Sequence, residues 1–122
     1  MKKILVVDDD MNILEVVEII LTSNGFDILT HTDGWHVDEV VTDYNPDLIL
    51  LDIKVAGKSG TDICKELKET HTMPILLFSA YGDPEAVYKE CNADGFINKP
   101  FEINDFLEEI KRHLKYSVQN TT

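Results

Sequence analysis

Short apolar runs alternate with amphipathic segments from one end of the chain to the other, and this alternation is the strongest constraint on its fold. "KILVV", "FDILTH", "DLILL", "PILLFS" and "GFIN" have the length and flanking residues of strands, whereas the segments between them carry apolar residues at helical spacing. In "MNILEVVEIILTSN" the residues Ile13, Val17, Ile20 and Leu21 share one face, and Gly25 follows where such a helix closes. "WHVDEVVTDY" reads as a second helix, separated by Asn45-Pro46 from the third strand. A third helix spans about Ser59 to Thr70 and a short fourth about Pro84 to Cys91. "INDFLEEIKRHL" is the last, with a stripe of Ile103, Phe106, Leu107, Ile110 and Leu114, and "SVQNTT" reads as a polar tail or the start of a linker. "ILVV", "LILL" and "ILLF" are apolar on both faces, so these strands belong in a parallel α/β sheet covered by helices on each side.

A chain of 122 residues has room for one core. Its 23 acidic residues outnumber 11 basic ones, giving a net charge of -12, which repels phosphate backbones and anionic lipid and argues against direct nucleic-acid binding. No apolar run has the length of a membrane span, and "MKKILVVDDD" turns acidic too early for a signal peptide, so a cytoplasmic protein is expected. Cys64 and Cys91 share no close spacing and lie on apolar helical faces, as core thiols do.

Ligands of open parallel sheets bind where the strands end at their carboxyl edge. On that edge stand Asp8, Asp9 and Asp10 after the first strand, Asp52 after the third, Ser79 after the fourth and Lys99 after the fifth. Carboxylates brought that close repel by about 4 kcal/mol per pair at 4 Å and an effective dielectric of ~20, so a positive charge must sit among them. Mg²⁺ (or Mn²⁺) suits an all-oxygen site with one or two protein carboxylates. The remaining acid can then act as a nucleophile toward an activated phosphoryl group, with Lys99 balancing the anionic oxygens and Ser79 donating to one of them.

Four segments, "ILVVDDD", "PDLILLDIKVAGKSG", "PILLFSA" and "GFINKPF", in this order, resemble the receiver domains of two-component response regulators, over residues 1–116. The resemblance implies a flavodoxin-like (βα)5 three-layer sandwich with a five-stranded parallel sheet ordered 2-1-3-4-5, a fold for which a chemotaxis receiver is a standard example. Carried over by position, Asp52 is the phosphoacceptor, Asp9 a direct metal ligand, Asp8 a ligand through water, and the Lys54 carbonyl a further metal contact. Ser79 and Phe96 are the switch residues, Ser79 and Lys99 assist the chemistry, and the Lys99-Pro100 bond is cis. The implied partners are a sensor histidine kinase or histidine phosphotransfer protein and a downstream protein that the sequence does not name. The fourth helix, fifth strand and fifth helix, roughly Pro84 to Tyr116, form the output face, and a homodimer that depends on phosphorylation is a common consequence in this family. Such a domain catalyses its own phosphorylation and slow dephosphorylation and is not a turnover enzyme.

The residues leave rivals open. Asp8 to Asp10 also suit the N-terminus of a helix, with Asp10 as its cap. The four histidines lie on polar faces or element ends, which argues against a phosphohistidine carrier. A haloacid-dehalogenase phosphohydrolase wants an acid where Lys54 stands, and dinucleotide binding lacks its glycine fingerprint. A degenerate receiver that serves as a phosphorylation-independent scaffold is the main alternative. The chain departs from the family in having Val55-Ala56 where Met-Pro is usual, and in a shorter segment between Ser79 and Lys99. Lys54 and Tyr81, two residues after Asp52 and Ser79, are long enough to obstruct water at the acceptor and so to lengthen the lifetime of its phosphoryl group. Trp35 is an unusually large apolar group for the start of the second helix and is a candidate contact residue.

Overall fold

The structure is a computed structural model that describes residues 1–55, 57–79 and 91–121. Its sheet is built from β1 (Lys3–Val7), β2 (Asp27–His31), β3 (Leu48–Asp52), β6 (Ile75–Ser79) and β7 (Gly95–Asn98), paired in parallel in the order β2-β1-β3-β6-β7. In order of occurrence in this sheet that is 2-1-3-4-5, the flavodoxin-like arrangement expected. Two further strands, β4 (Lys54–Val55) and β5 (Lys58–Ser59), form a small antiparallel hairpin just after β3.

Because the central strands are apolar on both faces, each face needs its own cover, and the core divides accordingly. On one face Ile4, Val6, Leu48, Leu50, Leu76 and Phe78 pack against α1 (Met11–Ser23) and the C-terminal helix (Ile103–Thr121). On the other, Leu5, Val7, Ile49, Leu51, Ile75 and Leu77 pack against α2 (Val37–Tyr44) and α3 (Gly60–Thr70). Alternation along each strand decides which side chain goes to which face. Cys64 and Cys91 are both fully buried and form no disulfide, as their apolar settings suggested, and burial raises the Cys64 thiol pKa.

Local chemistry sets the ends of α1. Asp10 caps it by accepting from the Asn12 amide at 3.0 Å. At the other end Gly25 adopts φ +85°, and the Phe26 and Gly25 amides donate to the Leu21 and Thr22 carbonyls, a Schellman closure that needs a left-handed residue.

Several boundaries differ from the sequence pattern. Helix α2 begins at Val37, two residues later than expected, because His36 sits in the left-handed region at φ 60° and Trp35 turns back to donate its amide to Asp33 Oδ1 at 2.8 Å. Leu14 is buried in α1, whereas Ile13 is only partly buried. Ile103 opens the C-terminal helix and is exposed, although it continues the apolar stripe. That helix runs on to Thr121 through residues expected as a tail, with neither proline nor glycine to stop it. The short helix expected at Pro84–Cys91 lies outside the described residues except for Cys91. Among the described residues no helix is long and apolar enough to cross a membrane.

Candidate functional site

Parallel register brings the strand ends to one level. Val7 is paired with Leu51, Asp52 with Phe78, and Ser79 with Asn98, so Asp8, Asp52, Ser79 and Lys99 all emerge along one edge. Asp52 ends β3 after four fully buried residues, and Asp8 directly follows β1.

Three carboxylates meet there. Asp8, Asp9 and Asp52 each offer an oxygen, and these atoms all lie within 4.8 Å of one another. Asp8 is wholly buried, Asp52 is 8% exposed and Asp9 faces solvent. Asp8 is fixed from two sides: its Oδ1 accepts from the Asp10 amide at 2.9 Å and its Oδ2 from Lys99 Nζ at 2.7 Å. Lys99 reaches Asp52 less closely, at 3.4 Å to Oδ1. Its ammonium also stands 4.5 Å from the centroid of the Phe78 ring, a cation–π contact, and Phe78 is packed in turn against Phe101 and Phe106. An aromatic floor on the first core face therefore supports the Lys99 ammonium at the acids.

These surroundings act on Asp52. Burial pushes its pKa up, the charge of Asp8 raises it further, the attraction of Lys99 opposes both, and the result is a value of about 6. The donor set is all oxygen, with no nitrogen or sulfur ligand among the acids, and it fits a hard divalent cation with room for water ligands.

The loop after Asp52 is held as closely as the strand before it. Gly60 lies so near Asp52 that a Cβ there would come 2.0 Å from the Asp52 carbonyl oxygen, and its amide donates to the Ile53 carbonyl at 2.6 Å. Glycine is required by proximity at this point, and α3 begins there.

With this geometry in hand, comparison with known proteins decides the family. The profile of response regulator receiver domains matches residues 4–111. The chain belongs to the response regulator receiver family. Its fold is similar to the BeF3-activated N-terminal receiver domain of Klebsiella pneumoniae RstA, with a TM-score of 0.88 and 27% identity over 93% of this chain and 98% of that one. A CheY-like response regulator receiver domain protein from Methanospirillum hungatei matches with a TM-score of 0.84 and 28% identity, covering 98% of both chains. The Vibrio cholerae chemotaxis protein CheY4 gives 0.84 and 26%, over 92% of this chain and 98% of that one. Receiver domains are signalling modules of two-component systems, controlled by phosphorylation, and they bind Mg²⁺ at an acidic pocket. In this receiver the acidic group is Asp8, Asp9 and Asp52.

Of the other residues singled out in the sequence, Lys54 stands on β4 with its side chain exposed. Phe96 lies on β7, half-buried against the core face shared with α2 and α3. Ser79 ends β6. The Lys99-Pro100 peptide bond is cis. Tyr81 lies outside the described residues. The histidines are engaged away from the acids: His71 pairs with Asp38 at 2.9 Å, His113 with Glu109 at 3.1 Å, His36 with Glu39 at 3.4 Å, and His31 donates to the Trp35 carbonyl at 2.7 Å.

Sequence reading missed the supporting cast. Phe78 beneath Lys99 read only as part of a strand, and Phe101, packed on Phe78, only as the end of "GFINKPF". Asp94 was also missed: its Oδ2 accepts from Lys68 Nζ at 2.6 Å and from the Ile75 amide at 2.8 Å, anchoring the start of β6.

Proposed function

We propose that this receiver accepts a phosphoryl group on Asp52 from a phosphohistidine of a sensor kinase or phosphotransfer protein, and that the modified domain addresses a downstream protein. The observation that carries this reading is the convergence of three carboxylate oxygens within 4.8 Å beside the Lys99 ammonium, at 2.7 and 3.4 Å from two of the acids. In the transfer, an Asp52 oxygen bonds to phosphorus as the P–N bond of the donor breaks, and the electron pair leaves on the imidazole nitrogen, which takes up a proton. Lys99 donates to the anionic phosphoryl oxygens, and Ser79 donates to another. Asp8, Asp9, Asp52 and the Lys54 carbonyl would hold Mg²⁺ or Mn²⁺, which when bound neutralises charge on the phosphoryl oxygens.

The switch follows from the same contacts. A charge-assisted bond from Ser79 contributes about 1.5–3 kcal/mol, within the range of typical allosteric couplings. Drawing Ser79 inward vacates space that the Phe96 ring fills, which biases the output face, roughly residues 84–116, between two states. The functional unit is residues 1–116, acting in the cytoplasm, with the homodimer as one product of that bias. Self-dephosphorylation returns it to the resting state.

Incubation with acetyl phosphate and Mg²⁺, followed by intact mass spectrometry, tests the reading. One added phosphoryl group that disappears with Asp52→Asn and with EDTA is expected. A folded protein that gains none would leave the phosphorylation-independent scaffold as the function to pursue.

A further inference from the structure

The loop after the acceptor is clasped by a second loop that the chemistry above does not use. Residues 32–36 join β2 to α2, and at their centre Gly34 and Trp35 meet Gly57 and Lys58 of the β4–β5 hairpin. The approach is close on both sides. A Cβ on Gly57 would lie 2.2 Å from the Trp35 indole nitrogen, and a Cβ on Gly34 would lie 2.6 Å from Lys58 Cβ. Gly57 also has φ +90°, so glycine is needed there twice over, for the turn and for the indole. Trp35 is 57% exposed, a large apolar group left in solvent on one side and pressed on the hairpin backbone on the other.

Each partner of this clasp is itself tied down. The Trp35 amide donates to Asp33 Oδ1 at 2.8 Å, and the Trp35 carbonyl accepts from His31 Nε2 at 2.7 Å. His31 ends β2, and its own carbonyl accepts from the Asp8 amide at 3.1 Å. On the other side, Lys58 Nζ donates to Glu66 of α3 at 2.6 Å, and Lys58 pairs across the hairpin with Val55. The indole therefore bridges a loop anchored beside Asp8 to the hairpin that directly follows Asp52.

We infer that Trp35 is a positioning residue for the acceptor site: by clasping Gly57 it holds the β4–β5 hairpin, and with it the Lys54 backbone, in register with Asp8 and Asp52 for metal binding. The inference rests on the receiver reading, since the Lys54 carbonyl counts as a metal contact only there. Residues behind the ligands of a metal site commonly alter affinity 10- to 100-fold when removed, and a clasp acting on one backbone ligand belongs near the lower end.

The test compares wild type, Trp35→Ala and Trp35→Phe by two measurements: Mg²⁺ affinity by calorimetry, and amide hydrogen exchange at Lys54, Val55, Gly57, Lys58 and Ser59 in EDTA. Thermal unfolding in EDTA first shows that each variant is folded at the working temperature. Trp35→Ala should exchange the hairpin amides at least about tenfold faster and bind Mg²⁺ about tenfold more weakly, with Trp35→Phe recovering most of both. Unchanged exchange overturns the clasp. Faster exchange with unchanged Mg²⁺ affinity, or a lowered melting temperature alone, overturns the positioning role and leaves Trp35 structural. Wild type that binds no Mg²⁺ overturns the metal-site reading and the positioning role with it, an outcome distinct from wild type that binds while Trp35→Ala binds equally well.

Discussion

Neutralising Asp52 should stabilise the metal-free protein. Asp52 sits among two other carboxylates, and its pKa is pushed from 3.8 up to about 6 by burial and by Asp8 against the attraction of Lys99. A rise of about two units corresponds to roughly 3 kcal/mol by which the ionised group disfavours the folded state. Its direction with pH follows. Above about pH 6 the folded protein carries the ionised Asp52 and the full cost. As the pH falls through 6 the folded state takes up a proton before the unfolded chain does, and below about 3.8 the cost is gone.

Asp52→Asn removes that cost but also the 3.4 Å contact with Lys99. Lys99 keeps its shorter contact with Asp8, so little of the attraction is lost. The net gain expected at pH 8 in EDTA is about 1–3 kcal/mol, or roughly 4–12 °C in melting temperature for a domain of this size. At pH 4.5 the gain should shrink to roughly a third of that, and saturating Mg²⁺ at pH 8 should narrow it by stabilising the wild type more than the variant. Thermal unfolding by circular dichroism at the two pH values, with and without Mg²⁺, is sufficient. A variant less stable than wild type at pH 8 would show that the Lys99–Asp52 attraction outweighs the repulsion. A gain undiminished at pH 4.5 would show that it does not come from the Asp52 charge.

The same electrostatics governs the other expectations. Lys99→Met leaves the buried Asp8 carboxylate without its ammonium, and should cost about 3 kcal/mol of stability in denaturant titrations as well as abolishing acceptance from acetyl phosphate; an equally stable variant would mean that the Lys99 contacts with Asp8 and Asp52 contribute nothing net to the fold. Mg²⁺ affinity should fall as the pH drops through about 6, because the ion competes with the proton on Asp52, with proton release near pH 6 visible as a buffer-dependent calorimetric heat. An affinity that is flat between about pH 5 and 8 contradicts the raised pKa. Lys54→Asn and Tyr81→Ala should each speed loss of the phosphoryl group if these side chains screen the acceptor from water, and single-turnover decay by phosphate release measures it; no acceleration in either removes them from that role.

The parts of this fold legible in the sequence are those fixed by burial. Strands apolar on both faces admit no reading but a covered parallel sheet, and once the sheet is parallel its carboxyl edge collects Asp8, Asp52, Ser79 and Lys99 without further information. The Asp10 cap and the Gly25 closure were legible because their chemistry is local. What depends on one segment meeting another was not. Asp8 and Asp9 are adjacent acids in the sequence, yet only the packing of α1 and Lys99 makes one of them fully buried and the other exposed. Helix α2 starts late because Asp33 and His36 divert the backbone into a turn, and a residue at φ 60° carries no apolar periodicity. The β4–β5 hairpin is too short to register as alternation, and its contact with Trp35 exists only because two distant glycines allow two loops to approach.

The resting site distributes its charge unequally, and this bears on why Asp52 rather than Asp8 suits the acceptor role. Asp8, the more buried of the two, has the Lys99 ammonium at 2.7 Å and a backbone amide at 2.9 Å. Asp52 has Lys99 at 3.4 Å, and it retains a trace of solvent access where Asp8 has none. The unbalanced repulsion of the cluster therefore falls on Asp52, and its pKa of about 6 is the consequence. A carboxylate at that value is more basic, hence a better nucleophile, than an ordinary aspartate, while at pH 7 roughly nine in ten copies remain ionised and able to attack. A pKa near 9 would leave the group mostly protonated, and one near 3 would leave it a weak nucleophile. By binding Lys99 more closely to Asp8, the fold holds Asp52 between those limits, so a shift of the ammonium toward Asp52 would stabilise the protein and weaken Asp52 as a nucleophile.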